Sequence, residues 1–269
     1  HLAIAAGPGG FSHGGMRKPL SKAACEFVSH CRESSSFALA FIRRYWIAYM
    51  GLATGIGLVA VIGMQVDRSL LPLFQFDPES PMHTWAGVLS TVGRFDKAIL
   101  YWAIGAWTLG ILCRRTDWKR LGTAILLAAL MAGLTANLFR GGLGRGRPCA
   151  ATPAVFTGPT ISHDYNGFPS GHATAAFAAA TVIAMVHPAT GVPAYTFATA
   201  VGWSRMQRNR HYPTDIFAGA SLGVLVALGY GQWANQGSLA TQPSSTRRKR
   251  AKFIPRIRSA LSASDSIEA

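Results

Sequence analysis

Three short segments hold the residues able to do chemistry. Segment 140–148 reads Arg-Gly-Gly-Leu-Gly-Arg-Gly-Arg-Pro, and segment 169–172 reads Pro-Ser-Gly-His. Segment 205–215 carries Arg205, Arg208, Arg210, His211 and Asp215. Together they offer two imidazoles, a carboxylate, several guanidiniums, a serine hydroxyl and a glycine at a helix start. That set suits gripping a phosphoryl group and passing it to a histidine. A phosphoryl group in flight spreads negative charge over three equatorial oxygens. Planar forks from Arg140, Arg147 and Arg205 can hold those oxygens bidentately.

Proline and serine ahead of an apolar run signal a helix start at 169–172. Helix N-termini present unpaired N–H groups and a positive dipole end, so they bind anions. Gly171 lets an anion approach the backbone, Ser170 can donate a hydroxyl, and His172 stands one residue further on. The blander reading of this tetrapeptide is a capped helix with an interfacial histidine. His211 and Asp215 are four apart and share one face of a helix start. A carboxylate on one imidazole nitrogen fixes the tautomer and leaves the other nitrogen able to attack. Arg208 and Arg210 read as contacts to lipid headgroups, and Arg145 receives no assignment. His83, His163 and His187 read as structural. A zinc site from His172, His211 and Asp215 has the right ligand types. The surrounding arginines favour an anion over a cation, so no metal and no cofactor are expected.

The elements that must position these residues are apolar. Runs 46–64, 121–139 and 216–233 carry no charge, and each approaches the ~20 residues that span a bilayer core. Run 98–113 is shorter. Run 173–204 is broken at His187-Pro188 and Gly191-Val192-Pro193, which predicts two helices joined by a tight turn. A soluble fold rarely needs so many apolar helices. The reading is an all-α integral membrane protein, a six-helix bundle with both termini cytoplasmic and the active site at the outer face.

The net charge of +15 would suit a nucleic-acid partner, but its distribution follows a membrane. The stretch before the first span, the loop 114–120 and the tail after 237 hold 17 of the 26 basic residues. Placing all three inside satisfies the positive-inside rule. Most of the remaining arginines fall in the three chemical segments. Two crossings separate segment 169–172 from segment 205–215, so all three segments meet on one side. Cys25, Cys31 and Cys113 are then cytoplasmic, where thiols stay reduced, and Cys149 stands alone outside.

Three regions follow. Residues 1–40 read as a flexible cytoplasmic N-terminal segment, with 1–15 set aside and Met16 a plausible native beginning. No cleavable signal peptide is evident. Residues 41–236 form the six-span domain, in which 67–96 is an outer loop with a mildly amphipathic centre at 85–92, suited to lie at the interface as a short helix. Residues 237–269 read as a basic, disordered cytoplasmic tail.

At this point the chain resembles the type 2 phosphatidic acid phosphatases, a family that also holds glucose-6-phosphatases and vanadium haloperoxidases. The family pattern runs Lys-x6-Arg-Pro, Pro-Ser-Gly-His and Ser-Arg-x5-His-x3-Asp. Here Arg147-Pro148 matches the first block, with Arg140 in place of the lysine. The second block matches at Pro169, Ser170, Gly171 and His172, and the third at Ser204, Arg205, His211 and Asp215. The resemblance implies that His211 is the nucleophile, Asp215 orients it, and His172 protonates the leaving oxygen and then activates water. Arg140, Arg147, Ser170, Gly171 and Arg205 would hold the phosphate, without metal.

The expected function is hydrolysis of a lipid phosphomonoester or diphosphate through a phosphohistidine. The expected substrates are undecaprenyl diphosphate, phosphatidylglycerol phosphate and phosphatidic acid. The expected location is a bacterial inner membrane, with the site facing the periplasm. The alternatives are a lipid A phosphatase, a non-catalytic lipid-phosphate-binding membrane protein, a vanadate-dependent oxidase and a small transporter. The partners implied are the lipid substrate and the bilayer, with no nucleic acid.

Overall fold

The computed structural model describes residues 17–93 and 99–240. The helices run α1 (Arg17–Arg44), α2 (Trp46–Gly63), α3 (Asp67–Leu70), α4 (Pro81–Val92), α5 (Leu100–Leu112), α6 (Thr116–Leu143), α7 (Gly171–Val186), α8 (Gly191–Gln207) and α9 (Pro213–Ala240). The expectations for residues 1–15 and for the tail beyond 240 fall outside the described residues.

The architecture is helical, and α2, α6 and α9 (over Pro213–Gln236) are long and apolar enough to cross a membrane. α5 and α7 are shorter apolar helices. The break expected within 173–204 is a 3-10 turn, Pro188–Thr190, between α7 and α8. α2 buries only Ala60, while Ile47 and Ile62 are each 70% exposed. An apolar helix bare on nearly every side is suited to lipid rather than water.

The centre of the bundle is α6, α7 and α9. Its core is made largely of alanine, including Ala124, Ala128, Ala132, Ala175, Ala178 and Ala179. Small residues let backbones come close, which drives helix association where lipid removes the hydrophobic advantage of large side chains. One such close approach is at Gly219 of α9. A Cβ there would stand 2.5 Å from the Ser170 carbonyl oxygen. This contact sets the start of α7 beside the start of α9.

One expectation needs correction. Residues 17–40 are not a flexible segment, because they form most of α1, which packs on α6 and α9. Its inward stripe is Phe27, His30, Ser34, Ala38 and Phe41, spaced for one helical face. His30, Ser34 and Ala38 are buried, so a small and partly polar stripe hid the periodicity. Lys119 adds a salt bridge to Glu26 at 2.8 Å. Over its described part, 67–93, the outer loop holds α3, a 3-10 turn at Leu71–Phe74, and α4, which covers the amphipathic centre expected as a short helix at 85–92.

Candidate active site

The three segments converge as three chain starts and ends. α6 stops at Gly144, whose left-handed φ of 64° closes the helix by an N–H bond to the Arg140 carbonyl. Arg140 therefore sits in the last turn of α6. The chain continues extended through Arg145 to Arg147. Gly146 is paired with Val155 and Ala154, and Arg147 N donates to the Asp164 carbonyl at 2.8 Å. Ser170 is the N-cap of α7, and its backbone N–H donates to the Asp215 carbonyl at 2.9 Å. α9 opens with Pro213 at its first position, which suits the fixed φ of proline. The Asp215 carboxylate reaches back to accept from Tyr212 N at 2.8 Å, as in one half of a capping box.

His211 is 1% exposed. Its Nδ1 lies 3.5 Å from Asp215 Oδ2. That is an ion-pair distance, but Nδ1 makes no hydrogen bond of good geometry. Arg147 Nη1 lies 3.3 Å from His211 Nε2. A guanidinium only donates, so Nε2 is the acceptor, and a neutral ring then carries its proton on Nδ1, towards Asp215. Burial holds the imidazole pKa well below its usual value, and Arg147, Arg205 and Arg140 push the same way. The ring is thus neutral, with its lone pair on Nε2 among guanidiniums.

Arg147 also donates to the His163 carbonyl at 2.7 Å, the Arg210 carbonyl at 3.1 Å and Asn166 Oδ1 at 2.8 Å. Burial, with Arg140 adding its repulsion, lowers its pKa to about 10. Arg140 shares Asn166, donating to its carbonyl at 2.9 Å and to Oδ1 at 3.2 Å. Its guanidinium lies over Gly171, where a Cβ would come within 2.9 Å of Nη1. Arg205 donates to the Ser90 hydroxyl of α4. The Ser170 hydroxyl is fully buried with no hydrogen-bond partner, so it is not spent on capping its own helix.

A cleft of about 1000 Å³ opens here, walled by Arg140, Gly171, His172 and Arg205 among others. Arg147, Ser170, His211 and Asp215 are buried and joined to that wall through Asn166 and the α7–α9 contact. All eight sequence-predicted residues are thus brought into one neighbourhood. Among the described residues, no group of three or more His, Cys, Asp or Glu is placed to hold a metal ion.

The sequence reading missed several members. Arg145 is 1% exposed and donates to Asp215 Oδ1 at 2.5 Å and to Asp67 Oδ2 at 2.7 Å. Asp67 also accepts from Thr214 N at 3.0 Å and from the Thr214 hydroxyl. This buried triad fixes the carboxylate facing His211. Asp67 carried one usable signal, a lone carboxylate just past an uncharged span. Asn166 carried none. Arg208, Arg210 and His163, read as bland, also line the cleft.

Residues 121–237 match the PAP2 superfamily. A lipid A 1-phosphatase of Porphyromonas gingivalis is 36% identical over 123 residues, 44% of this chain and 25% of that protein. A bacitracin transport permease protein BcrC of Bacillus licheniformis is 38% identical over 106 residues, 39% of this chain and 47% of that protein. The chain spans half or less of the length of these curated relatives. The crystal structure of a PAP2-type phosphatidylglycerolphosphate phosphatase from Bacillus subtilis superposes with a TM-score of 0.50, at 20% identity. That match covers 72% of this chain and 95% of the other, and it bears on the fold.

Proposed function

We propose that this protein is a membrane lipid phosphatase that hydrolyses a phosphomonoester or diphosphate through a phosphohistidine on His211. One observation carries the reading. A buried neutral imidazole has its lone-pair nitrogen 3.3 Å from a guanidinium and its other nitrogen facing a carboxylate. Nε2 attacks phosphorus in line as the bond to the lipid oxygen breaks, and His172 gives that oxygen a proton. Arg147 moves from Nε2 to the phosphoryl oxygens, joining Arg140, Arg205, the Ser170 hydroxyl and the α7 N-terminus. Asp215 stabilises the imidazolium that forms. Water then attacks, losing a proton to His172, and the P–N bond breaks.

The bundle is read as six spans with both termini cytoplasmic, comprising α2 and α5 to α9. The site then faces the periplasm from a bacterial inner membrane. The lipid tail stays in the bilayer while the headgroup enters the cleft. Undecaprenyl diphosphate, phosphatidylglycerol phosphate and phosphatidic acid are the leading substrates, with lipid A as the runner-up. The names of the relatives from Porphyromonas gingivalis and Bacillus subtilis support a lipid phosphate.

The test is phosphate release from a lipid-phosphate panel by purified protein, with and without chelator. Release is expected to persist in chelator and to vanish in His211→Ala. His172→Ala is expected to trap labelled phosphate on His211. Release surviving His211→Ala would overturn the mechanism, and a wild type that binds but never releases would be a receptor.

A further inference from the structure

Four guanidiniums, Arg140, Arg205, Arg208 and Arg210, line one cleft, and among the described residues its wall contains no Asp or Glu. Arg145 is the contrast, since two buried carboxylates balance it. Among the described residues, none of the four cleft arginines forms a salt bridge. Arg147, just beneath, has none either. A phosphomonoester carries about −1.5 to −2 charges at neutral pH. Arg140, Arg147 and Arg205 already match it, so Arg208 and Arg210 are surplus to a single phosphoryl group.

The surplus arginines stand on an ordered turn. Asn209 between them has a φ of 53°. Gln75 Nε2 donates to Met206 O at 3.2 Å and to Asn209 Oδ1 at 3.1 Å. Gln207 and Phe76 bond each other twice, at 2.6 and 2.9 Å. The turn is thereby fixed to the segment before α4. Arg208 reaches towards α4, where Gly87 leaves room for it, since a Cβ there would lie 3.1 Å from Nη1. Arg210 lines the same cleft, with Nη1 at 3.9 Å from Cys149 Sγ, and its carbonyl holds Arg147. Loose headgroup contact would need no such anchoring. The exposed His163 feels the unbalanced field. Arg147 is the main cause of its lowered pKa, ahead of burial, Arg210 and Arg140.

We infer that Arg208 and Arg210, with His163, form a second anion subsite in this cleft, so that the preferred substrate carries two phosphoryl groups. This rests on the phosphatase reading above. The second group has two sources, either the inner phosphate of a lipid diphosphate or a separate phosphate elsewhere on the headgroup. The first arrives directly bonded to the reacting phosphoryl group, and the second is spaced from it by carbon.

The experiment compares three lipids in neutral detergent micelles, namely a monophosphate, the matching diphosphate and a headgroup with two separated phosphates. Wild type is set against Arg208→Gln/Arg210→Gln and the charge-conserving Arg208→Lys/Arg210→Lys. The wild-type kcat/KM ratio of the better two-phosphate lipid over the monophosphate is expected to exceed about 10-fold, the size of one charge-assisted contact. The glutamine pair is expected to bring that ratio towards one, and the lysine pair to restore part of it. Whichever two-phosphate lipid loses more identifies the source. Equal losses on all three lipids, or no change in the ratio, would overturn the subsite and leave headgroup contact as the role of these arginines. Titration of inorganic pyrophosphate and orthophosphate into each protein separates the two failures. If no lipid is hydrolysed but pyrophosphate still binds wild type about 10-fold tighter than the glutamine pair, the subsite stands and the catalytic reading falls. Equal binding overturns the subsite by itself.

Discussion

Asp67→Ala removes a side chain that touches no substrate, yet it should cost both stability and turnover. The carboxylate accepts from Arg145 Nη2 at 2.7 Å, from Thr214 N at 3.0 Å and from the Thr214 hydroxyl, with zero exposure. Its loss leaves one charged and one backbone donor buried without an acceptor. A charge-assisted bond contributes about 1.5–3 kcal/mol and a neutral one about 1 kcal/mol. The sum agrees with the ~3–5 kcal/mol lost when one partner of a buried ion pair is removed. For a chain of this size that corresponds to roughly 6–20 °C in melting temperature. Asp67→Asn keeps the volume and one acceptor, so about half that loss is expected. In both variants Arg145 turns its full charge on Asp215 and competes with His211 for the carboxylate. kcat should then fall about tenfold with KM nearly constant, the pattern of an interaction made in the transition state. Thermal unfolding in detergent, paired with steady-state phosphate release, reads both quantities. If Asp67→Ala melts within a degree of wild type, or keeps full kcat, the triad does not hold the catalytic carboxylate and the reasoning fails.

Gly171→Ala puts a methyl where the Arg140 guanidinium lies, 2.9 Å from Nη1. KM should rise about tenfold while the helix, which favours alanine, stays folded; an unchanged KM would remove Arg140 from the phosphate site. Asn166→Ala deletes the acceptor shared by Arg140 and Arg147, and KM should again rise about tenfold. Asn166→Asp should be worse, because a fixed carboxylate competes with the phosphate, and equal KM values for the two variants would contradict this. His211, lowered well below 6.5 by burial and then by Arg147, should remain neutral at pH 6 in a histidine NMR titration. Its burial as a neutral ring contributes stability that is present above about pH 6.5 and is lost as pH falls below that value, because only the unfolded ring then takes up a proton readily. A protonated His211 at pH 6 in the folded protein would refute this.

The sequence by itself determined the helical class, the main apolar helices and the break between α7 and α8. Each is written in local pattern, as uncharged runs of spanning length or as proline and glycine at a turn. It also named residues that the fold brings together, because Pro169 to His172 and the His211–Asp215 spacing are short-range signals at helix starts. Tertiary structure alone decided the rest. Ser34 and Ala38 look like loop residues until α6 and α9 are laid against them. Asp67 and Arg145 are 78 residues apart in the chain, and no local spacing announces that they meet Asp215. Asn166 gains its role only when the fold lays it against two guanidiniums of the distant segment 140–148. Arg208 and Arg210 look like interfacial charge in sequence, and only the turn held by Gln75 and Gln207 aims them into the cleft. Local sequence fixes backbone preference and burial tendency, whereas which charge balances which depends on distances set by packing.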